Sequence, residues 1–149
     1  MRISDHFSLW ELTKSQTAER LNIDNQPNEE VLSNLKDLCK SVLEPIRTYY
    51  GIPFSPSSGY RSEKLNKAIG GSKNSFHCLG MAVDLEVPGI RNPDLARWIQ
   101  TNIVYDQLIL ECWTGKEGSV WVHVGTATYP RGQVMTFTSG KGYMNGFPA

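Results

Sequence analysis

The chain has 149 residues, 40% of them apolar and 20% charged, which is the balance of a folded globule and not of a disordered segment. Fifteen Lys and Arg offset fifteen Asp and Glu, and zero formal net charge argues against nucleic-acid binding through a basic surface and against electrostatic attachment to a membrane. No apolar run approaches the roughly 20 residues of a bilayer span. The opening Met1-Arg2-Ile3-Ser4-Asp5-His6 lacks the apolar core of a secretory signal. Three cysteines, Cys39, Cys78 and Cys112, offer no disulfide framework. The expectation is one domain over residues 1–149, monomeric and made in a reducing cytoplasm, with action elsewhere only after release.

Taken in chain order, Ser8-Leu9-Trp10-Glu11 has the form of a capping box and opens a short helix fading near Asn22. Asn25-Gln26-Pro27-Asn28 breaks the pattern. Val31, Leu32, Leu35, Leu38, Val42, Leu43 and Ile46 then recur at gaps of three and four, the stripe of a longer helix. Pro45 should bend or end it, and Gly51 closes the segment. Ile52 to Tyr60 reads as a proline-tolerant edge strand, and Ser62 to Ala68 as a short helix stopped by Gly70-Gly71. Met81 to Val87 alternates as a strand. Asn92-Pro93-Asp94 starts a helix with Asn92 as its cap. Gln107–Trp113 and Val120–Thr126 are strands joined by a turn, and Gln133–Thr138 is a last short strand. The fold class is α+β: helices first, then a small, mostly antiparallel sheet.

The stretch Ser75-Phe76-His77-Cys78-Leu79-Gly80-Met81-Ala82-Val83-Asp84 carries the chemistry. His77 lies on a loop that turns at Gly80 into a strand, where parity puts Ala82 and Asp84 on one face and Met81, Val83 and Leu85 on the other. In the same way the valines of Val120–Val124 oppose Trp121 and His123, and Leu108 and Leu110 oppose Gln107, Ile109 and Glu111. If these strands pair, His77, Asp84, His123 and Glu111 converge. Two imidazoles and a carboxylate suit one zinc ion, with a fourth position open for water. Glu111 then has the place of a general base that later returns its proton to the leaving amine.

Ser58-Gly59-Tyr60-Arg61-Ser62, Ser75-x-His77-x-x-Gly80-x-Ala82-x-Asp84 and Trp121-x-His123 resemble the zinc D-Ala-D-Ala carboxypeptidase family, in the branch found in phage genomes and some endolysins. The resemblance covers nearly the whole chain, from His6-Phe7-Ser8-Leu9-Trp10-Glu11-Leu12 through Leu43-Glu44-Pro45-Ile46-Arg47 to Asp106–Glu111. It implies the fold shared with hedgehog signalling domains, one catalytic zinc, and hydrolysis of peptide bonds beside D-amino acids in peptidoglycan stems. By position, His77, Asp84 and His123 match the zinc ligands, Arg61 the arginine that holds a substrate carboxylate or oxyanion, and Ser75 a serine near the metal. Several relatives keep the catalytic acid three residues before the last histidine, where this chain has Val120. Glu111 is therefore the first choice and Glu117, at a spacing seen in hedgehog-type sites, the second.

Plainer roles stand beside these. Arg61 or Lys73 would serve as a structural ion-pair partner for Asp84. Cys78 follows a ligand directly but has no second histidine placed to activate it. Trp121 shares the face of His123 and is expected in the cleft wall, touching substrate. The expected reaction is zinc-dependent cleavage of peptidoglycan stem peptides, by a D-Ala-D-Ala carboxypeptidase or an L-Ala-D-Glu-type endopeptidase of phage origin. The partner is the wall peptide, with no nucleic acid or membrane. The rivals are a non-catalytic peptidoglycan-binding module and a structural phage component whose zinc staples the fold.

Overall fold

A computed structural model describes residues 1–148. Helices α1 (Leu9–Thr13) and α2 (Gln16–Leu21) come first. The expected single helix is broken at Lys14-Ser15, because the Ser15 side chain accepts the Ala18 N–H and starts a second helix. The capping box forms as the sequence indicates: Ser8 Oγ accepts the Glu11 N–H at 3.3 Å and Glu11 Oε1 accepts the Ser8 N–H at 3.0 Å.

The long helix is built in three parts: α3 (Glu29–Leu38), a π-helical turn (Cys39–Leu43) and α4 (Glu44–Tyr50). Pro45 was expected to bend or end it. It does not end the helix: the widened turn just ahead of the ring, where the Glu44 N–H reaches back to the Cys39 carbonyl, absorbs the missing donor. The helix then runs on to a left-handed Gly51. Leu35, Leu38, Val42, Leu43 and Ile46 are almost wholly buried along its inner face, each worth roughly 1.5–3 kcal/mol relative to exposure.

The remaining elements are α5 (Glu63–Ala68), a 3-10 turn (Phe76–Leu79), β1 (Ala82–Leu85), α6 (Asn92–Asn102), β2 (Gln107–Glu111), β3 (Trp121–Gly125), β4 (Gln133–Thr138) and β5 (Gly142–Asn145). They form one sheet in the order β1-β3-β2-β4-β5, antiparallel throughout except for the β2–β4 pair. Strand parity holds. Val83, Leu85, Leu108, Leu110, Val122 and Val124 are fully buried with Leu35, Leu38, Val42, Leu95 and Ile99 of the helices in one core. The alternate residues of the same strands face the other way and form the floor of a cleft.

Two expectations are corrected. Ile52 to Tyr60 is not a strand. Pro53 and Pro56 remove ladder donors, and contact with β1 is an isolated bridge at Asp84, whose carbonyl accepts the Ser57 and Ser58 N–H groups and whose N–H donates to the Ser58 carbonyl. The helix-capping role given to Asn92 belongs elsewhere. Arg91 holds the cap position, Asn92 is the first helical residue, and the Glu117 carboxylate accepts the Asn92 N–H at 2.8 Å and its Nδ2 at 3.0 Å. A negative group at a helix N-terminus satisfies free donors and opposes the helix dipole.

Candidate metal centre and its cleft

The segment 57–62 positions the site. Its backbone is spent on three different elements. The Ser57 N–H and the Ser58 carbonyl pair with Asp84, the Tyr60 N–H with the Leu12 carbonyl at 2.7 Å, and the Arg61 N–H with the His77 carbonyl at 3.1 Å. The buried Asn25 completes the clamp: Nδ2 donates to the Thr13 and Tyr60 carbonyls, and Oδ1 accepts the Ser62 N–H at 2.7 Å. Gly59 lies so close to α1 that a Cβ there would run into the Leu12 carbonyl.

This strap fixes the orientation of His77. Its Nδ1 lies 2.7 Å from the Gly59 carbonyl, which can only accept, so Nδ1 carries the proton and Nε2 is left facing the cleft. The ring is 3% exposed and sits on the 3-10 turn, where Ser75 Oγ accepts the His77 N–H at 3.2 Å. The turn ends in a left-handed Gly80 packed on Val31, where a side chain would meet both strain and a clash. Asp84 and His123 are direct partners across the β1–β3 ladder. His123 Nδ1 lies 2.9 Å and His77 Nε2 3.3 Å from the same oxygen, Asp84 Oδ1. Asp84 Oδ2 accepts from Arg61 at 3.4 Å.

These three donors suit a cation. Ligand atoms of His77, Asp84 and His123 lie within 4.8 Å of one another, and no other His, Cys, Asp or Glu joins the group among the described residues. With Nδ1 turned to the Gly59 carbonyl, His77 Nε2 faces Asp84 Oδ1, and a cation between the two would be held by both. Burial raises the Asp84 pKa. The hydrogen bonds and positive charge of His123 and His77 more than offset this and hold the carboxyl well below the usual range. It is therefore ionised, as a ligand must be.

The cleft around the group measures about 380 Å³. Arg61, Ser75, Glu111 and Trp121 all line it, as the sequence indicated. Glu111 Cα is paired with Trp121 across the β2–β3 ladder, two residues along from the Ile109–His123 pair. Burial pushes its carboxyl pKa up. His123 opposes the shift and Asp84 adds to it. Arg61 is tied by Nε to Ser58 and by Nη1 to Asn66 as well as to Asp84, so its guanidinium is held at the cleft edge and also braces the Asp84 carboxylate. The structural ion pair and the cleft role therefore coexist in one side chain, and Lys73 has no part in it. The indole N–H of Trp121 is buried with no partner among the described residues.

Glu117 lies apart. It caps α6 and borders a separate hollow with Glu86 and Asn92. Cys78 is outside the donor group, and burial raises its thiol pKa, opposite to what a nucleophile or ligand needs. Gln107 lines the cleft on the face that strand parity gave it, whereas sequence reasoning missed Arg131 and Tyr143 in the cleft wall. Tyr143 sits on β5, a strand with no clear alternation. Arg131 comes from an irregular loop and is oriented by the buried Asp106, whose carboxylate accepts its backbone N–H at 2.9 Å and its Nε and Nη2.

A His-Asp-His donor set open on one side, on the free face of an α+β sheet and with a carboxylate beside it, places the molecule among the metallopeptidases. More narrowly, the chain belongs to the peptidase M15 family, whose model, described as Peptidase M15, matches residues 5–124. That span takes in α1, the strap, the 3-10 turn, β1 and the β2–β3 hairpin. No curated protein matches the chain. No helix among the described residues is long and apolar enough to cross a membrane.

Proposed function

We propose that the protein is a zinc peptidase that hydrolyses peptide bonds in the stem peptides of bacterial peptidoglycan, either as a D-Ala-D-Ala carboxypeptidase or as an L-Ala-D-Glu-type endopeptidase. The convergence of His77 Nε2, Asp84 Oδ1 and His123 Nδ1 beside Glu111 supports this reading most directly. Zinc held by those three atoms would supply Lewis acidity, polarising the scissile carbonyl and acidifying water.

The chain's own groups do the rest. Glu111 takes the proton of the attacking water as its oxygen bonds to the carbonyl carbon. The same carboxyl then delivers that proton to the amine nitrogen as the C–N bond breaks. Burial suits Glu111 to both roles, because a raised pKa brings the acid and base forms closer in energy near neutral pH. Arg61 binds a substrate carboxylate or the developing oxyanion with its planar fork. Ser75 holds the turn that presents His77 and borders the substrate. Trp121 forms the wall and offers its unpaired N–H. In this reading the enzyme is of phage origin, acts as a monomer, and meets the wall after release from the host cytoplasm or as part of a phage particle.

Digestion of purified peptidoglycan with zinc-loaded protein, followed by mass analysis of the fragments, tests the proposal. Loss of terminal D-Ala or appearance of L-Ala-D-Glu cleavage products supports it. Absence of fragments, together with retention of the protein on insoluble wall, would favour a binding module.

A further inference from the structure

The largest cavity yet described, about 720 Å³, lies outside the metal cleft, on the other side of Arg61. Trp10, Lys14, Ser58, Tyr60, Arg61 and Leu65 line it. Arg61 borders both cavities, so the metal cleft and this groove meet at one guanidinium.

The groove has the chemistry of a sugar platform. Trp10 is 65% exposed, although it stands on a five-residue helix whose neighbouring Leu12 is fully buried. An indole left in water forfeits about 2 kcal/mol or more of burial energy, so this position is poorly explained by folding alone. The Lys14 ammonium lies over one face of the ring, 5.5 Å from its centroid, so a sugar would stack on the opposite face, and the polar side chains of Gln16 and Thr17 also line the groove. A flat aromatic face with a polar rim complements a pyranose, which has an apolar C–H face and hydroxyl or acetamido groups around its edge.

A peptide occupant is disfavoured by the backbone. Extended peptides are held by main-chain hydrogen bonds to a free edge. The strap bordering this groove has none to give at the places that matter. The N–H groups of Ser57, Tyr60, Arg61 and Ser62 and the carbonyls of Ser58, Gly59 and Tyr60 are all engaged within the chain.

We propose that the Trp10 groove is a glycan subsite, holding an N-acetylated sugar of the strand to which the cleaved peptide is attached. The inference rests on the peptidoglycan reading above. It makes the enzyme one that recognises wall-linked peptide over free peptide, with Arg61 bordering both the sugar groove and the metal cleft.

Two measurements test it. In the first, tri-N-acetylchitotriose is titrated into zinc-loaded protein and the indole N–H signals are followed by NMR, with Trp10 assigned from a Trp10→Phe variant. Saturable movement of the Trp10 signal is expected in the wild type, with calorimetric binding of the same sugar lost in Trp10→Ala. No movement, or movement produced instead by a sugar-free stem peptide, overturns the glycan subsite. In the second, kcat/KM is compared for a disaccharide-linked stem peptide and the same peptide without sugar. Trp10→Ala should lower the ratio of the two by about tenfold through KM, the size of one aromatic stacking contact. An unchanged ratio overturns the inference even if both substrates are cleaved. Should neither be cleaved by the wild type, the hydrolytic reading falls, while the sugar titration still decides the groove.

Discussion

Replacing Glu111 by Gln separates the chemistry from the fold. The side chain keeps its size, so the β2–β3 pairing with Trp121 should persist. What is lost is, among the described residues, the only cleft carboxylate outside the metal group. A positioned general acid–base contributes about 10²–10⁴-fold, so kcat on a defined stem peptide should fall by that range with KM little changed. Stability should move the other way. Burial raises the Glu111 pKa in the folded protein above its unfolded value of about 4.3. Below that pH the group is protonated in both states and costs nothing. As pH rises toward the folded pKa, the unfolded chain ionises first and the fold loses stability; above the folded pKa the cost is constant. Glu111→Gln should therefore melt higher than the wild type at pH 7, with the gap closing below about pH 4. Thermal melts of the metal-free proteins from pH 4 to 8 and initial-rate kinetics of the zinc forms check both halves. A variant within threefold of wild-type kcat, or a stability gap that widens on acidification, would refute the assignment.

Glu117→Ala offers the contrast. It should leave kcat unchanged while costing about 1 kcal/mol in chemical denaturation, because it removes the acceptor at the start of α6. Gly59→Ala drives a methyl group into the Leu12 carbonyl and displaces the strap that orients His77. A loss of about 2 kcal/mol, or roughly 5 °C in melting temperature, is expected by scanning calorimetry, together with weaker zinc binding. Removal of metal with a chelator should lower the melting temperature, and zinc at a hundredfold excess over its dissociation constant should restore about 2.7 kcal/mol. A melting curve indifferent to zinc would speak against a site preformed in the native state.

The parts of this molecule that are legible in the sequence are those governed by local periodicity. Alternation along β1, β2 and β3 sorted Val83, Leu108, Leu110 and Val122 into the core and Asp84, His123, Ile109 and Glu111 onto the cleft face. Ser8 and Glu11 announced their helix because a capping box is a contact between near neighbours. The remainder depends on partners far along the chain. Asn25 reads as a pattern breaker, and only the fold shows it clamping Thr13, Tyr60 and Ser62. Glu117 stands six residues before His123, yet its connecting loop directs it to Asn92. Arg131 owes its place in the cleft to Asp106, twenty-five residues earlier. The wide turn before Pro45 is a compromise between a helix-breaking ring and a buried apolar stripe that favours continuing the helix. None of these has a spacing rule that a linear reading could apply.

X-ray diffraction from zinc-soaked crystals, with data collected on both sides of the zinc absorption edge, would locate the ion directly. The account predicts a single anomalous peak within bonding distance of His77 Nε2, Asp84 Oδ1 and His123 Nδ1, with Glu111 close by and no fourth protein ligand. A peak elsewhere, or one closed off by a fourth side chain, would contradict it.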